Sequence, residues 1–237
     1  MKALTVDAQG LLSLQELPIP SYGACQALVK MRSCGVCSGT DMKLIHHTFK
    51  NFDTYPAILG HEGVGEVVEI GEKVENLRRG DLVLLPFLEG KIGEYTPGWG
   101  AYSEYALVGD AEAYIRCGMG PGTKQWSEGY LAQTVLGPED RVNPVEAAMI
   151  VTFREVLSAI RRFGFQPNQN IVVLGAGPVG LCFTRFLKLL GIKTVITTDI
   201  LDEKVETALE MGADYAFNSA KCDIIHEVRT LFPDGVD

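Results

Sequence analysis

Two changes of rhythm in this 237-residue chain predict an α/β protein built in two parts. Up to about Glu146, short alternating runs rich in Gly and Val, broken every few residues by turn formers, predict a mostly β region. From Asn143 onward, short branched apolar runs alternate with stretches of helical period, the pattern of a βαβ sheet. A hydrophobic content of 46% supplies one generous core or two modest ones, and no repeat of 20 to 50 residues points to a solenoid.

In the first part the clearest strands are Gly63 to Ile70, with its alternating valines, and Asp81 to Pro86, after a polar turn between Val74 and Asp81. The stretch from Gly109 to Arg141 is the least legible and reads as a lobe or a long loop. In the second part Pro144 stands near the start of a helix over Val145 to Arg162. A turn at Pro167 to Asn170 leads into Ile171 to Leu174, short and branched enough for a buried parallel strand. Helix over Pro178 to Leu190, strand over Thr194 to Thr198, helix over Leu201 to Met211, strand over Ala213 to Phe217 and helix over Asp223 to Leu231 come next in turn. The chain stops where a further strand is expected, so the sequence reads as truncated.

Charge and patterning narrow the partners. With 21 basic against 30 acidic side chains the formal charge is -9, which argues against nucleic acid or an anionic membrane as the target. The opening MKALTVDAQG lacks the apolar region of a secretion signal, and no run has the roughly 18 apolar residues of a membrane span, so a cytoplasmic location is expected. Six cysteines do not make a disulfide scaffold in a chain of this length. Cys34 and Cys37 form the one close pair, with no second pair to complete a four-cysteine zinc knuckle.

Gly175-Ala176-Gly177-Pro178-Val179-Gly180 follows an expected strand and opens an expected helix, and Asp199 ends the next strand 19 residues on. The first glycine allows the tight turn, the second lets a pyrophosphate approach backbone N–H groups, and the third allows close helix-to-strand packing. The helix end adds partial positive charge. Asp199 can accept both ribose hydroxyls of an adenosine, and no Arg follows it in Ile200 to Glu203 to offset a 2′-phosphate, which favours NAD over NADP. The same residues also fit an ordinary αβ turn with a capping Asp.

Cys37, His61 and Glu62 are of types that hold zinc in an open site, with a position left for water or substrate. From residue type alone, His61 also fits a turn histidine and Cys37 a small buried apolar residue. Cys34 reads as a core thiol, and His46 and His47 as part of a solvated helix or loop.

The runs Gly35-Val36-Cys37 through Thr40-Asp41, Gly60 to Val68, Gly80-Asp81, Gly100 to Tyr105 and the turn at 175 to 180, in this order, resemble the zinc-containing branch of the medium-chain dehydrogenase/reductase family, especially alcohol, threonine and polyol dehydrogenases. The resemblance covers nearly the whole chain. It implies a GroES-like β domain over 1 to 145 and a Rossmann dinucleotide-binding domain from 146 that is incomplete at 237.

The resemblance also implies roles for individual residues. Cys37 and His61 correspond to ligands of the catalytic zinc, and Glu62 to the neighbouring carboxylate that approaches it. Thr40 corresponds to the hydroxyl that relays the alcohol proton, although it stands three places after the cysteine where relatives use two. Lys43 occupies the place of a proton-shuttling histidine. It could contact the cofactor ribose, but its reference pKa of about 10, against about 6.5 for His, makes it a poorer shuttle. His46 is the substitute if the loop folds back. Val151 stands where relatives carry a third ligand, and Glu155, one helical turn on, is the nearest carboxylate on that face. No Cys occurs between Leu82 and Tyr105, so one catalytic zinc and no structural zinc is expected.

The function expected on this basis is hydride transfer between a secondary alcohol or polyol and NAD, with a small alcohol or ketone as partner and a homo-oligomer for the full-length protein. The alternative is a non-catalytic NAD-binding or scaffold protein that keeps the fold, suggested by the extended Cys37 to Asp41 segment, Val151 and the early stop.

Overall fold

The protein is described from a computed structural model that covers residues 1–138 and 141–237. Glu139 and Asp140, at the end of the poorly legible stretch, lie outside the described residues. The chain divides into two compact units, Met1–Val151 and Thr152–Asp237.

The first unit opens with β1 (Lys2–Val6), β2 (Leu12–Glu16), β3 (Gln26–Gly35), α1 (Ser38–Ile45), β4 (Ala57–Ile58), β5 (Glu62–Ile70) and β6 (Asp81–Leu84). It continues through β7 (Thr96–Pro97), β8 (Tyr105–Gly109), α2 (Ala111–Arg116), β9 (Thr134–Pro138) and α3 (Pro144–Ala147). One sheet runs β8-β3-β5-β6-β9 and is antiparallel throughout; the other runs β2-β1-β4-β7. Small and branched side chains fill the space enclosed by these strands, among them Ala27, Val29, Val67, Val83 and Val108. β3 changes register against β5 twice, between Leu28 and Val29 and between Met31 and Ser33. Such irregularities bend a strand and re-aim the chain beyond its end.

Within the least legible stretch, residues 110–131 form a lobe with a small core rather than a long loop, and Thr134–Pro138 is strand β9. Tyr114 and Tyr130 stack at 4.7 Å and Trp126 meets both edge-on, over buried Cys25 and Ala113. Asp110 anchors the lobe. Its buried carboxylate caps α2 through Ala113 N–H (3.0 Å) and accepts from the backbone N–H groups of Glu75 and Asn76, both at 2.9 Å. The bonds to Glu75 and Asn76 are long-range and so give no local sequence signal.

The helix expected over Val145 to Arg162 is divided. Asn143 caps α3 by accepting from Val145 N–H, with Pro144 in the first turn, and the helix is interrupted at Ala148 before α4 (Met149–Phe163) begins. Ala147, Ala148 and Val151 pack with Val64, Leu82 and Leu84, burying that end of the helical segment in the first unit.

The second unit holds β10 (Asn170–Leu174), α5 (Pro178–Leu189), β11 (Thr194–Asp199), α6 (Asp202–Glu210), β12 (Tyr215–Asn218) and α7 (Ile224–Leu231). The strands form a parallel sheet in the order β10-β11-β12. Central β11 is buried from Thr194 to Thr198, as its branched run predicts. β10 departs from that expectation: only Ile171 is buried, and Leu174 is 79% exposed, because β10 has a neighbour on one side only. β12 begins two residues later than expected. Asp214 is used instead to tie the preceding turn, accepting from Val195 N–H (2.7 Å) and pairing with Lys188 (2.8 Å).

Burial pushes the Asp110 carboxyl up, but the N–H groups of Glu75, Ala113 and Asn76 outweigh it and hold its pKa below the ordinary value. A depressed folded-state pKa gives stability that is complete above the unfolded value of about 3.9 and is lost as pH falls through the folded one. The D110N chain should therefore unfold at lower temperature at pH 7, and the difference from wild type should shrink as the pH is lowered past 4. Calorimetric scans across that range check both points; a constant difference would contradict the assignment.

Candidate metal centre and nucleotide turn

The β3–β5 ladder brings the first site together. Its last pairs are Cys34 with Gly63 and Gly35 with Glu62, so a chain leaving β3 through Val36 reaches Cys37 beside the start of β5. Cys37 is the N-cap of α1, yet its side chain makes no capping bond and its thiol contacts the Thr40 hydroxyl at 3.7 Å. His61 lies between β4 and β5, directly before Glu62. One ligand atom from each of Cys37, His61 and Glu62 falls within 4.8 Å of the others. Gly35 makes room for this: a Cβ there would lie 2.3 Å from Glu62 Oε2.

Asp41 stands behind the group. Its buried carboxylate accepts through Oδ2 from Cys37 N–H (3.1 Å) and from the Tyr102 hydroxyl (2.7 Å). Its Oδ1 and His61 Nδ1 are both buried without a hydrogen-bond partner and face each other at 3.8 Å, while His61 Nε2 lies 3.9 Å from Glu62 Oε1. Burial, together with the bond to Asp41, pushes the Tyr102 phenol far above its ordinary range, which keeps it a donor.

These residues fit a zinc ion. Thiolate, imidazole and carboxylate are its usual donors, and ligand atoms about 2.0–2.3 Å from a tetrahedral ion lie roughly 3–4 Å apart, a modest closure from the spacing seen. The orphaned Nδ1 and Oδ1 fit as well, since a histidine that ligates through one nitrogen hands its other N–H to a carboxylate. Cys34 lies outside the group of three; it is half-buried, and burial pushes its thiol up to about 12.

The remaining candidates fall at different places. Thr40 is in the first turn of α1, next to the thiol. His46 caps the other end of α1, roughly 13 Å along the axis from Cys37, and is exposed; the loop does not fold it back. Lys43 is exposed on the same helix. Val151 is a buried core residue and has no donor to offer, and Glu155 is exposed on α4 in the second unit, outside the group of three.

Sequence reasoning did not single out Trp99, whose ring meets His61 at 5.4 Å and Phe49 edge-on at 5.6 Å. Trp99 holds φ +67°, strained for so large a residue, and its only sequence signal is its place just before the Gly100 run. Nor did it assign a role to Tyr102 or Asp41, because their contact joins residues 61 positions apart.

The second site is the turn between β10 and α5. Gly175 takes φ +94°, and a Cβ on Gly180 would stand 1.9 Å from Gly175 O, so turn and helix approach too closely for any side chain. Gly177 is the N-cap of α5 with Pro178 following, and the space where its Cβ would lie is open. Asp199, at the end of β11, accepts from Ala176 N–H (2.8 Å) and Leu201 N–H (3.1 Å), which hold its carboxyl below the ordinary range. Leu174, Gly175, Thr198, Asp199, Ser219 and Ile224 line a cavity of about 400 Å³ at the carboxyl ends of the strands. That is where open parallel sheets bind nucleotides.

Residues 23–147 match the family described as alcohol dehydrogenase GroES-like domain, and residues 178–237 that described as zinc-binding dehydrogenase. An alcohol dehydrogenase of Geobacillus stearothermophilus is 31% identical over 97% of this chain and 66% of its own length. A sorbitol dehydrogenase of Bacillus subtilis is 30% identical over 100% of this chain and 67% of its own. Among solved structures, an E. coli CFT073 alcohol dehydrogenase complexed with NADH superposes with a TM-score of 0.74 at 25% identity, over 98% of this chain and 66% of that one. The chain spans about two thirds of the length of the curated relatives it matches. With both family matches and relatives of 30% identity or more along nearly its whole length, the chain belongs to the zinc-containing branch of the medium-chain dehydrogenase/reductase family.

Proposed function

We propose that the protein is a zinc- and NAD-dependent oxidoreductase acting on secondary alcohols or polyols, with residues 1–145 as the catalytic domain and 146–237 as part of the cofactor domain. The observation that carries this reading is the convergence of Cys37, His61 and Glu62, with Asp41 Oδ1 facing His61 Nδ1. Cys37 and His61 would hold the ion, with Glu62 as the adjacent carboxylate. His61 would ligate through Nε2, the nitrogen nearer Glu62, and give its Nδ1–H to Asp41. When bound, zinc and NAD supply polarisation of the alcohol oxygen and a hydride acceptor.

The chain's own residues then bind, orient and move a proton. Thr40, whose hydroxyl lies 3.7 Å from the Cys37 thiol, would take the alcohol proton. Neither Lys43 nor His46 is grouped with it, so the proton is best passed from Thr40 to water. At the other site the open face of Gly177 suits the pyrophosphate, and Asp199 keeps lone pairs for the ribose hydroxyls. Its negative charge, with no arginine in Ile200 to Glu203, supports NAD over NADP.

In the H61A chain, zinc content should fall from one ion per chain to near zero while NAD affinity is unchanged. Elemental analysis and cofactor titration check this, and zinc retained in H61A would remove the ligand assignment. D199A should weaken NAD by about ten-fold or more and narrow its advantage over NADP, the size expected for losing bonds to a charged group. Equal affinity of the unaltered chain for both cofactors would refute that role. A chain that binds NAD yet holds no zinc and turns over no alcohol would favour the non-catalytic alternative.

A further inference from the structure

From the way three segments meet on one side chain, we infer that Tyr102 is a positioning residue that sets the metal affinity of the centre by fixing the spacing between Cys37 and His61. The inference rests on the reading of that group as a zinc site.

No ladder holds either ligand in place. β3 stops at Gly35, Val36 is 82% exposed, and Cys37 comes after it; His61 falls in the gap between β4 and β5. Tyr102 bridges the two gaps. On one side its main chain lies against the residues just before His61: Tyr102 N–H donates to Leu59 O (2.9 Å), and Leu4 N–H donates to Tyr102 O (2.8 Å). A Cβ on Gly60 would lie 2.4 Å from Tyr102 N and 2.7 Å from its Cγ, so the approach is closer than any side chain would allow. On the other side its hydroxyl donates to Asp41 Oδ2, the same oxygen that takes Cys37 N–H, and stands 3.0 Å from Gly35 O. Gly35 in turn lies under the Glu62 carboxylate. One residue therefore touches the segments that carry all three ligands, and it holds the carboxylate that faces His61 Nδ1. Phenylalanine would fill the same space but leave Asp41 Oδ2 with Cys37 N–H alone.

The test is zinc affinity, measured on the whole purified chain by competition with a chromophoric chelator, for wild type, Y102F, D41N and the double variant. Y102F should bind zinc about ten-fold more weakly, the loss typical of removing a partner behind a ligand. Because Tyr102 acts through Asp41, the double variant should bind no more weakly than D41N. A purely structural role would lower the unfolding midpoint of metal-free Y102F and leave its zinc affinity at the wild-type value; that result overturns the inference, as do losses that multiply in the double variant. Should Y102F not fold, D41N decides alone, and a wild-type zinc affinity there overturns it. If the wild-type chain binds no zinc, the zinc reading itself falls; if it binds zinc and Y102F binds equally well, only the role of Tyr102 falls.

Discussion

The antiparallel register that ends with Gly35 opposite Glu62 is the constraint on which the proposed metal centre depends. Residues 37 and 61 are distant in sequence, and this ladder ends beside both of them. Because strand side chains alternate faces, a slip of one residue in β3 against β5 would turn Glu62 away and carry Cys37 past His61. The two changes of register within β3 are therefore part of the site's construction, since they decide where the strand is heading when it ends. The glycines nearby serve the same purpose: Gly35 and Gly60 give the carboxylate and the Tyr102 main chain positions that a side chain would occupy.

Behind the three proposed ligands lies a buried polar layer. Asp41 is buried with one oxygen paired twice and the other facing an equally buried imidazole nitrogen. Buried polar atoms without partners are costly, and two of them face each other here across 3.8 Å, an arrangement that fits the proposed ligation of the imidazole on its far side. The nucleotide turn works differently. It needs no long-range contact, because strand end, glycine turn and helix start are consecutive in the chain, and its one distant element, Asp199, sits at the end of the neighbouring parallel strand.

That difference explains what the sequence made legible. The place of the turn at 175 to 180 between strand and helix, and of Asp199 at the end of the next strand, could be read, since both are local or one βα unit away. The βαβ alternation was legible for the same reason; the departures are the break at Ala148, the exposure of β10 and the start of β12, where Asp214 bonds to Val195 N–H instead. Cys37, His61 and Glu62 could be proposed from residue type and resemblance, but their approach depends on a bent strand's register, which alternation alone does not specify. The lobe after Gly109 was opaque because Asp110 and the Tyr114, Trp126 and Tyr130 rings act on partners well outside any local window. Glu155 entered as a candidate through spacing along a helix and His46 through a loop expected to fold back, and neither argument says whether a solvent-facing carboxylate or a helix end reaches the site. Tyr102 was visible within the Gly100 to Tyr105 run, but its contact with Asp41 was not.

X-ray absorption at the zinc edge tests the central claim most directly, because it counts donor types without requiring turnover. One sulfur at about 2.3 Å together with nitrogen or oxygen donors at about 2.0–2.2 Å is the expected shell, with the sulfur lost when Cys37 is replaced by Ser. A chain that takes up no zinc, or a shell of several sulfurs that survives that replacement, would contradict it.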